Sequence, residues 1–300
     1  VMRLGGTWET VSLAPDLIDV WTTSPSNAWA VGEFGFIYRW NGSGWSRQPT
    51  PTTGTLNTVW GASASEAFAG GDNGVMLRFN GSSWVTMTFP STANIYGIWG
   101  SGSNNVFAVT ANGEVMRLNG SSWSLTFTAT NPLWSVFGTS ASDVYVAGEN
   151  GTALRFNGSI WSNLTVPTSG TIAGIWGTSS TNLLAVGSAS GSSTGISFRN
   201  TGTGWTSFGM PASNMLTSVF GAFANDVYAT GDAGLILRWN GSAWSTMSSG
   251  TTDLLWSVSG SPTGAGGAFA VGYNSTIASG VSSGGLELSA FRASTRVVAA

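Results

Sequence analysis

The chain writes one phrase over and over. Ser135-Val136-Phe137-Gly138-Thr139-Ser140-Ala141-Ser142-Asp143-Val144-Tyr145-Val146-Ala147-Gly148 returns as Thr217-Ser218-Val219-Phe220-Gly221-Ala222-Phe223-Ala224-Asn225-Asp226-Val227-Tyr228-Ala229-Thr230-Gly231. The phrase is anchored by an aromatic-Gly step at Trp60-Gly61, Trp99-Gly100, Phe137-Gly138, Trp176-Gly177 and Phe220-Gly221, with divergent copies at Trp21-Thr22 and Ser259-Gly260. The copies are 38 to 44 residues apart. A recurrence of that length marks one supersecondary unit that cannot bury its own faces and is stacked on its neighbours.

Each copy reads as strands. After the aromatic-Gly step comes a polar turn and then a run such as Ala28-Trp29-Ala30-Val31, Val106-Phe107-Ala108-Val109 or Leu183-Leu184-Ala185-Val186, the pattern of a strand buried on both sides. A Gly-containing turn (Asn73-Gly74, Asn112-Gly113, Asn150-Gly151) leads to a third strand that carries an arginine, as in Ile37-Tyr38-Arg39-Trp40. An Asn-Gly-Ser tip then opens a short fourth strand at Trp45, Trp84, Trp123, Trp161 or Trp244. Asn-Gly supplies the positive φ angles that tight hairpins need. Four antiparallel strands in about 40 residues describe a propeller blade. The expected fold is all-β, a seven-bladed β-propeller over residues 1–273, with repeats starting near 16, 55, 94, 132, 171, 214 and 253. Val1-Met2-Arg3-Leu4-Gly5-Gly6-Thr7-Trp8 matches Val115 to Trp123 with one deletion, so residues 1–15 are expected to complete the last blade. Residues 274–300 are left as an extension with no assigned role.

Composition excludes several functions. Only 8% of residues are charged, there is no Lys, His or Cys, and the net charge is −3. No basic stripe is available for nucleic acid or anionic membrane surfaces. The commonest metal ligands and general base are missing, so no metal and no cofactor are expected. No apolar run reaches the roughly 20 residues that span a bilayer. Val1 begins inside a repeat without a signal-peptide pattern, so the chain reads as a mature or excised segment.

The run Ala28-Trp29-Ala30-Val31-Gly32-Glu33-Phe34-Gly35-Phe36-Ile37-Tyr38-Arg39-Trp40-Asn41-Gly42-Ser43-Gly44-Trp45 resembles the repeats of bacterial sialidase-like, Asp-box propellers, including the photosystem II assembly factor, with the Asp-box turn shortened to Asn-Gly-Ser-x-Trp. It is also similar to the repeats of tectonin-type lectins. The resemblance covers residues 1 to about 273 and implies a propeller that binds rather than catalyses. The arginine cluster and the tyrosine with partner acid that sialidase chemistry needs have no counterparts.

The repeated residues read as construction. Arg3, Arg39, Arg78, Arg117, Arg155, Arg199 and Arg238 share one repeat position. A ring of seven would suit an anion, but an acid six residues earlier (Glu33/Arg39, Asp72/Arg78, Glu149/Arg155, Asp232/Arg238) suggests cross-strand pairs that hold register. Most of the sixteen Trp recur where blades must pack, with sugar stacking as the alternative role. Asn41, Asn80, Asn119, Asn157 and Asn240 form sequons, as do Asn163 and Asn274, and the first five are read as hairpin tips. No asymmetric carboxylate pair stands out for glycoside hydrolysis.

The copies disagree in one place. From Trp176 to Phe220 is 44 residues, with an insertion around Ser188 to Thr194 in the turn between second and third strands. That turn shares a face with the blade-to-blade connections, which makes this face the candidate binding surface. Trp29, Glu33, Phe34, Asp72, Glu149, Ser190, Ser192 and Asp232 are its candidate ligand contacts. The expected function is a non-enzymatic, secreted, cell-surface or periplasmic module for protein binding, adhesion or assembly. The alternatives are a multivalent lectin with sites between blades and, last, a glycoside hydrolase-like enzyme. The expected partner is a protein or a glycan.

Overall fold

A computed structural model describes residues 2–4, 7–9, 15–262, 268–280 and 289–292. Seven four-stranded antiparallel sheets follow one another along the chain. The inner strands are Leu17–Ser24, Leu56–Ser63, Ile95–Gly102, Leu133–Ser140, Thr171–Ser179, Leu216–Phe223 and Leu255–Gly260, one in each of blades 1 to 7. Every sheet runs outward in chain order from its inner strand. The fold is therefore an all-β seven-bladed propeller, its only helical pieces among the described residues being four three-residue 3-10 turns.

The aromatic-Gly step is the joint between blades. Trp60, Trp99 and Trp176 push the benzo edges of their indoles against Gly100, Gly138 and Gly221 of the following blade. A Cβ on Gly138 would lie 2.4 Å from the Trp99 ring, so only glycine admits this approach. At the joint from blade 7 to blade 1 both partners change together. Ser259 replaces the aromatic, Thr22 replaces the glycine, and the Thr22 N–H donates to Ser259 Oγ at 3.0 Å. Trp21 meets Phe220 of blade 6 across this smaller pair, with ring centroids 6.5 Å apart.

Further out, a second-strand aromatic wedges between the third- and fourth-strand aromatics of the next blade. Trp29 meets Phe79 and Trp84 at 4.8 and 5.2 Å, Phe107 meets Phe156 and Trp161 at 5.9 and 6.2 Å, and Phe269 meets Trp40 and Trp45 at 5.4 and 5.1 Å. Nine Trp are buried here and at the joints: Trp29, Trp60, Trp84, Trp99, Trp123, Trp176, Trp205, Trp239 and Trp244. The Asn-Gly tips cap themselves, since the side-chain oxygens of Asn41, Asn80, Asn157 and Asn240 each accept two backbone N–H bonds from the residues two and three ahead.

Two expectations are corrected. The last blade is not closed by N-terminal strands: its sheet is Leu255–Gly260, Ala268–Gly272, Thr276–Gly280 and Ser289–Arg292, while Met2–Leu4 and Thr7–Glu9 pair with each other as a separate two-stranded sheet. A three-residue turn at Tyr273–Ser275 delivers the third strand directly, with far less loop-closure entropy than recruiting a segment from the other end of the chain. Part of the extension thus belongs to blade 7; residues 281–288 and 293–300, like most of 10–15, lie outside the described residues. The second correction concerns arginine. Arg78, Arg155 and Arg238 form ion pairs with Glu66, Asp143 and Asp226, and Arg39 and Arg117 bond Asn27 and Asn105, each partner twelve residues earlier. Arg39 sits opposite Trp29 in the ladder, so its same-face diagonal neighbour is Asn27 at the start of the second strand. The acids six residues earlier lie at the opposite end of the third strand.

Candidate functional site

The two ends of the ring differ chemically. We call the end where inner strands begin the upper face; it carries the connections between blades and the turns between second and third strands. The lower face carries six described repeat arginines, five paired as above and Arg199 bonded to Asn182, seventeen residues earlier, at 3.4 Å. Among the described side chains, Glu66, Asp143 and Asp226 are the lower-face acids, each in an ion pair. Asp16, Glu33, Asp72, Glu114, Glu149, Asp232 and Asp253 lie at the upper end, with Asp19 just inside the central channel, and none of them is in an ion pair with a described residue.

The upper face opens into a central funnel of about 650 Å³. Its mouth is built by one backbone device repeated seven times. Every inner strand carries a β-bulge after its first buried residue: the register skips Ile18, Asn57, Tyr96, Trp134, Ala173, Thr217 and Trp256. All seven line the funnel. A bulge re-aims the extra side chain out of the ladder, which here turns it to the axis. The position before each bulge is Leu or Ile and the position two after is Val or Ile in every copy, whereas the bulge residue changes from copy to copy. The scaffold is held constant and the lining is varied.

The lining is aromatic on two sides. Tyr96 and Trp134 stack at 4.3 Å and 9°, leaving Trp134 36% exposed. Trp256 meets Tyr273 edge-on at 5.7 Å, and Tyr273 is 40% exposed. Trp21, Trp99, Phe137, Trp176 and Phe220 line the deeper part of the funnel.

Carboxylates cluster at the closing joint. Asp19 faces the funnel and accepts from Ser257 Oγ at 2.6 Å and from the Val20 and Val59 N–H groups at 2.8 Å each. Burial pushes its carboxyl up to about 6 despite those bonds. Asp16 takes the Asn274 N–H at 3.0 Å, and its own N–H donates to Glu33 Oε2 at 3.1 Å. Desolvation raises the Asp16 carboxyl above the usual range, and the nearby charges of Glu33 and Asp253 raise it further. Among the described residues no group of three acids is placed to hold a metal ion.

The candidate contacts read from sequence fall in two groups. Glu33, Phe34, Asp72, Glu149 and Asp232 all sit on turns of the upper face, and Ser190 and Ser192 are exposed on the inserted turn of blade 5. Phe34 is 61% exposed and held at φ 56°, a left-handed conformation costly for a bulky residue. Only Glu33 of this set lines the funnel. Trp29 lies apart, fully buried between blades 1 and 2 beneath the Arg39 guanidinium. The bulge residues and Asp19 were not singled out from sequence, although their variation between constant neighbours was there to be read.

No protein-family model matches the chain, and no curated protein matches it in sequence. Solved structures match in fold. YCF48 from Cyanidioschyzon merolae superposes with a TM-score of 0.68 at 17% identity, covering 89% of this chain and 96% of that one. A structure of YCF48 bound to D1 peptide gives 0.72 at 16%, covering 91% and 95%. The WD40 β-propeller domain of Doa1 gives 0.73 at 12%, covering 89% and 93%. At these identities the likeness establishes a shared seven-bladed propeller.

Proposed function

We propose that the protein is a non-enzymatic binding module that docks a protein partner on its upper face, with the funnel mouth at the centre of the contact. The observation that carries this reading is the ring of seven bulge residues, the inner-strand position that is exempt from the repeat and turned to one opening. Exposed, varied aromatics in a concave site are what interfaces use as anchors. The likeness to YCF48, one structure of which is bound to D1 peptide, and to a WD40 domain supports protein rather than small-molecule recognition. The carboxylates favour binding over catalysis, since Asp19 is occupied in holding backbone N–H groups and Ser257. A secreted or cell-surface location remains part of this proposal, as does an adhesive or assembly role. The lectin alternative loses most of its platforms, because the nine buried Trp have no free face for a sugar ring.

The test is site-specific photocrosslinking. A photoreactive side chain at Trp134 or Thr217 is expected to trap a discrete protein adduct in extract from the producing cells, whereas one at Ser46 or Ser245 on the outer strands traps none. Equal labelling at all four sites, or none at the upper two, overturns the reading.

A further inference from the structure

The carboxylates at the closing joint are answered by neutral donors: Asn274 gives its backbone N–H to Asp16 and its side-chain amide to Asp253, and Thr276 Oγ1 donates to Asp253. Glu33 and Asp253 are close enough to act electrostatically on Asp16, and none of the three is in an ion pair with a described residue. Two of the three line the funnel beside Trp256 and Tyr273. Like charges held together in a partly desolvated site raise the energy of the empty state, and a bound cation relieves that repulsion. An aromatic face next to carboxylates selects a flat, weakly hydrated cation, the guanidinium of arginine, which pairs bidentately with a carboxylate and stacks on a ring.

A second observation comes from the depth of the funnel. Trp99 and Trp176 line it and are only 8% and 7% exposed, and neither indole N–H has a hydrogen-bond partner among the described residues. Trp21, at the same repeat position, does have one in the Gly61 carbonyl at 3.1 Å. An indole N–H on the funnel wall can donate to an acceptor that a ligand brings. A peptide backbone brings carbonyl oxygens, which a bare metal ion or a simple amine does not. The volume of about 650 Å³ is in the range of sites that enclose an extended segment or a drug-sized ligand.

We propose that the funnel receives an extended, arginine-bearing peptide segment of the partner protein, its guanidinium held by Asp16 and Glu33 against Trp256 and Tyr273 and its backbone carbonyls turned to the indole N–H groups below. The inference rests on the upper-face docking reading and names the chemistry of what docks.

The probe is a fluorescein-labelled Gly-Ser-Arg-Gly-Ser-Arg-Gly-Ser peptide, followed by fluorescence anisotropy at low salt beside the same peptide with citrulline, and with glutamate, for arginine. The arginine peptide is expected to bind, with at least a tenfold loss for citrulline, no binding of the glutamate peptide, and a fall in affinity with added salt. The double variant Asp16→Asn/Glu33→Gln is expected to weaken binding at least tenfold, while Arg155→Ala on the lower face changes it less than twofold. Equal binding of the citrulline peptide, or no binding of the arginine peptide up to about millimolar concentration, overturns the proposal. So does unchanged affinity in the double variant. The citrulline comparison uses only the unaltered protein and decides the matter even if the double variant fails to fold. A protein adduct trapped at Trp134 together with no arginine-peptide binding sinks this inference alone; no adduct and no peptide binding sink both.

Discussion

Two joints in the ring solve the same problem by different means. Between blades 3 and 4 the Trp99 indole fills the space left by Gly138, an apolar contact made by shape. Between blades 7 and 1 the aromatic and the glycine are both gone, and hydrogen bonds take over: Thr22 to Ser259, Ser257 to Asp19, Asn274 to Asp16, and Ser275 Oγ to the Pro15 carbonyl at 2.6 Å. A regular joint derives its strength from area removed from water, which is indifferent to pH. The closing joint derives it from directed polar contacts around a buried carboxylate, and is therefore sensitive to protons.

The largest effect belongs to the regular joint. Trp99→Ala is expected to cost about 3 to 5 kcal/mol, because it removes a buried ring and leaves a void against Gly138; denaturant titration measures it, and a loss under 1 kcal/mol would mean the joint is not what holds blades 3 and 4 together. Next comes the proton. Burial lifts the folded-state Asp19 carboxyl from 3.8 to about 6, so the folded protein holds this proton more tightly than the unfolded chain. The contribution of Asp19 is full below about pH 4, falls as pH rises through about 6, and is flat above, for a total of about 3 kcal/mol. Melting curves across that range should show the fall, and Asp19→Asn should flatten it. A slope unchanged in the variant would assign the titration elsewhere.

Third, the two joints should be interconvertible in part. Ser259→Trp alone is expected to overfill the closing joint and cost about 1 to 3 kcal/mol. Adding Thr22→Gly, which recreates the regular pairing, should restore about 1 kcal/mol of that, read from a double-mutant cycle; strict additivity would show that the two positions do not answer one another. The smallest effect is expected at the position equivalent to Asp19 in blade 4. Ser135 Oγ accepts the Ile175 N–H of blade 5 at 3.2 Å, and Ser135→Ala should cost about 0.5 to 1 kcal/mol with no pH dependence. A loss as large as that of Asp19→Asn, or one that varies with pH, would erase the distinction between the joints.

The sequence made the blades readable because their chemistry is local. An aromatic beside a glycine, and an Asn-Gly tip, each act within a few residues of themselves. A spacing of six does not reveal the arginine partners, because a strand advances about 3.3 Å per residue and carries Arg39 away from Glu33 toward the lower face. The closing blade was misread because Thr276-Ile277-Ala278-Ser279-Gly280 has lost the repeat's arginine, Ser279 standing opposite Phe269 where other blades place it. The funnel lining was hidden for a different reason. A bulge is a change of register between two strands, and strict alternation assigns Ile18 or Trp134 to a face without showing that the ladder skips it. Glu33, Asp72, Glu149 and Asp232 do share a face with the inserted turn of blade 5, because each follows the second strand of its blade as that turn does.

Each of the seven sheets is made from consecutive chain, and none borrows a strand from the far terminus. During synthesis every blade can therefore complete its own hydrogen bonding as it emerges, and the only step that waits for the last residues of blade 7 is the meeting of two finished surfaces. Circularisation in this protein is a docking event between preformed edges. A circular permutant with its new ends between blades 3 and 4 would move that event to a shape-made joint and leave every sheet intact.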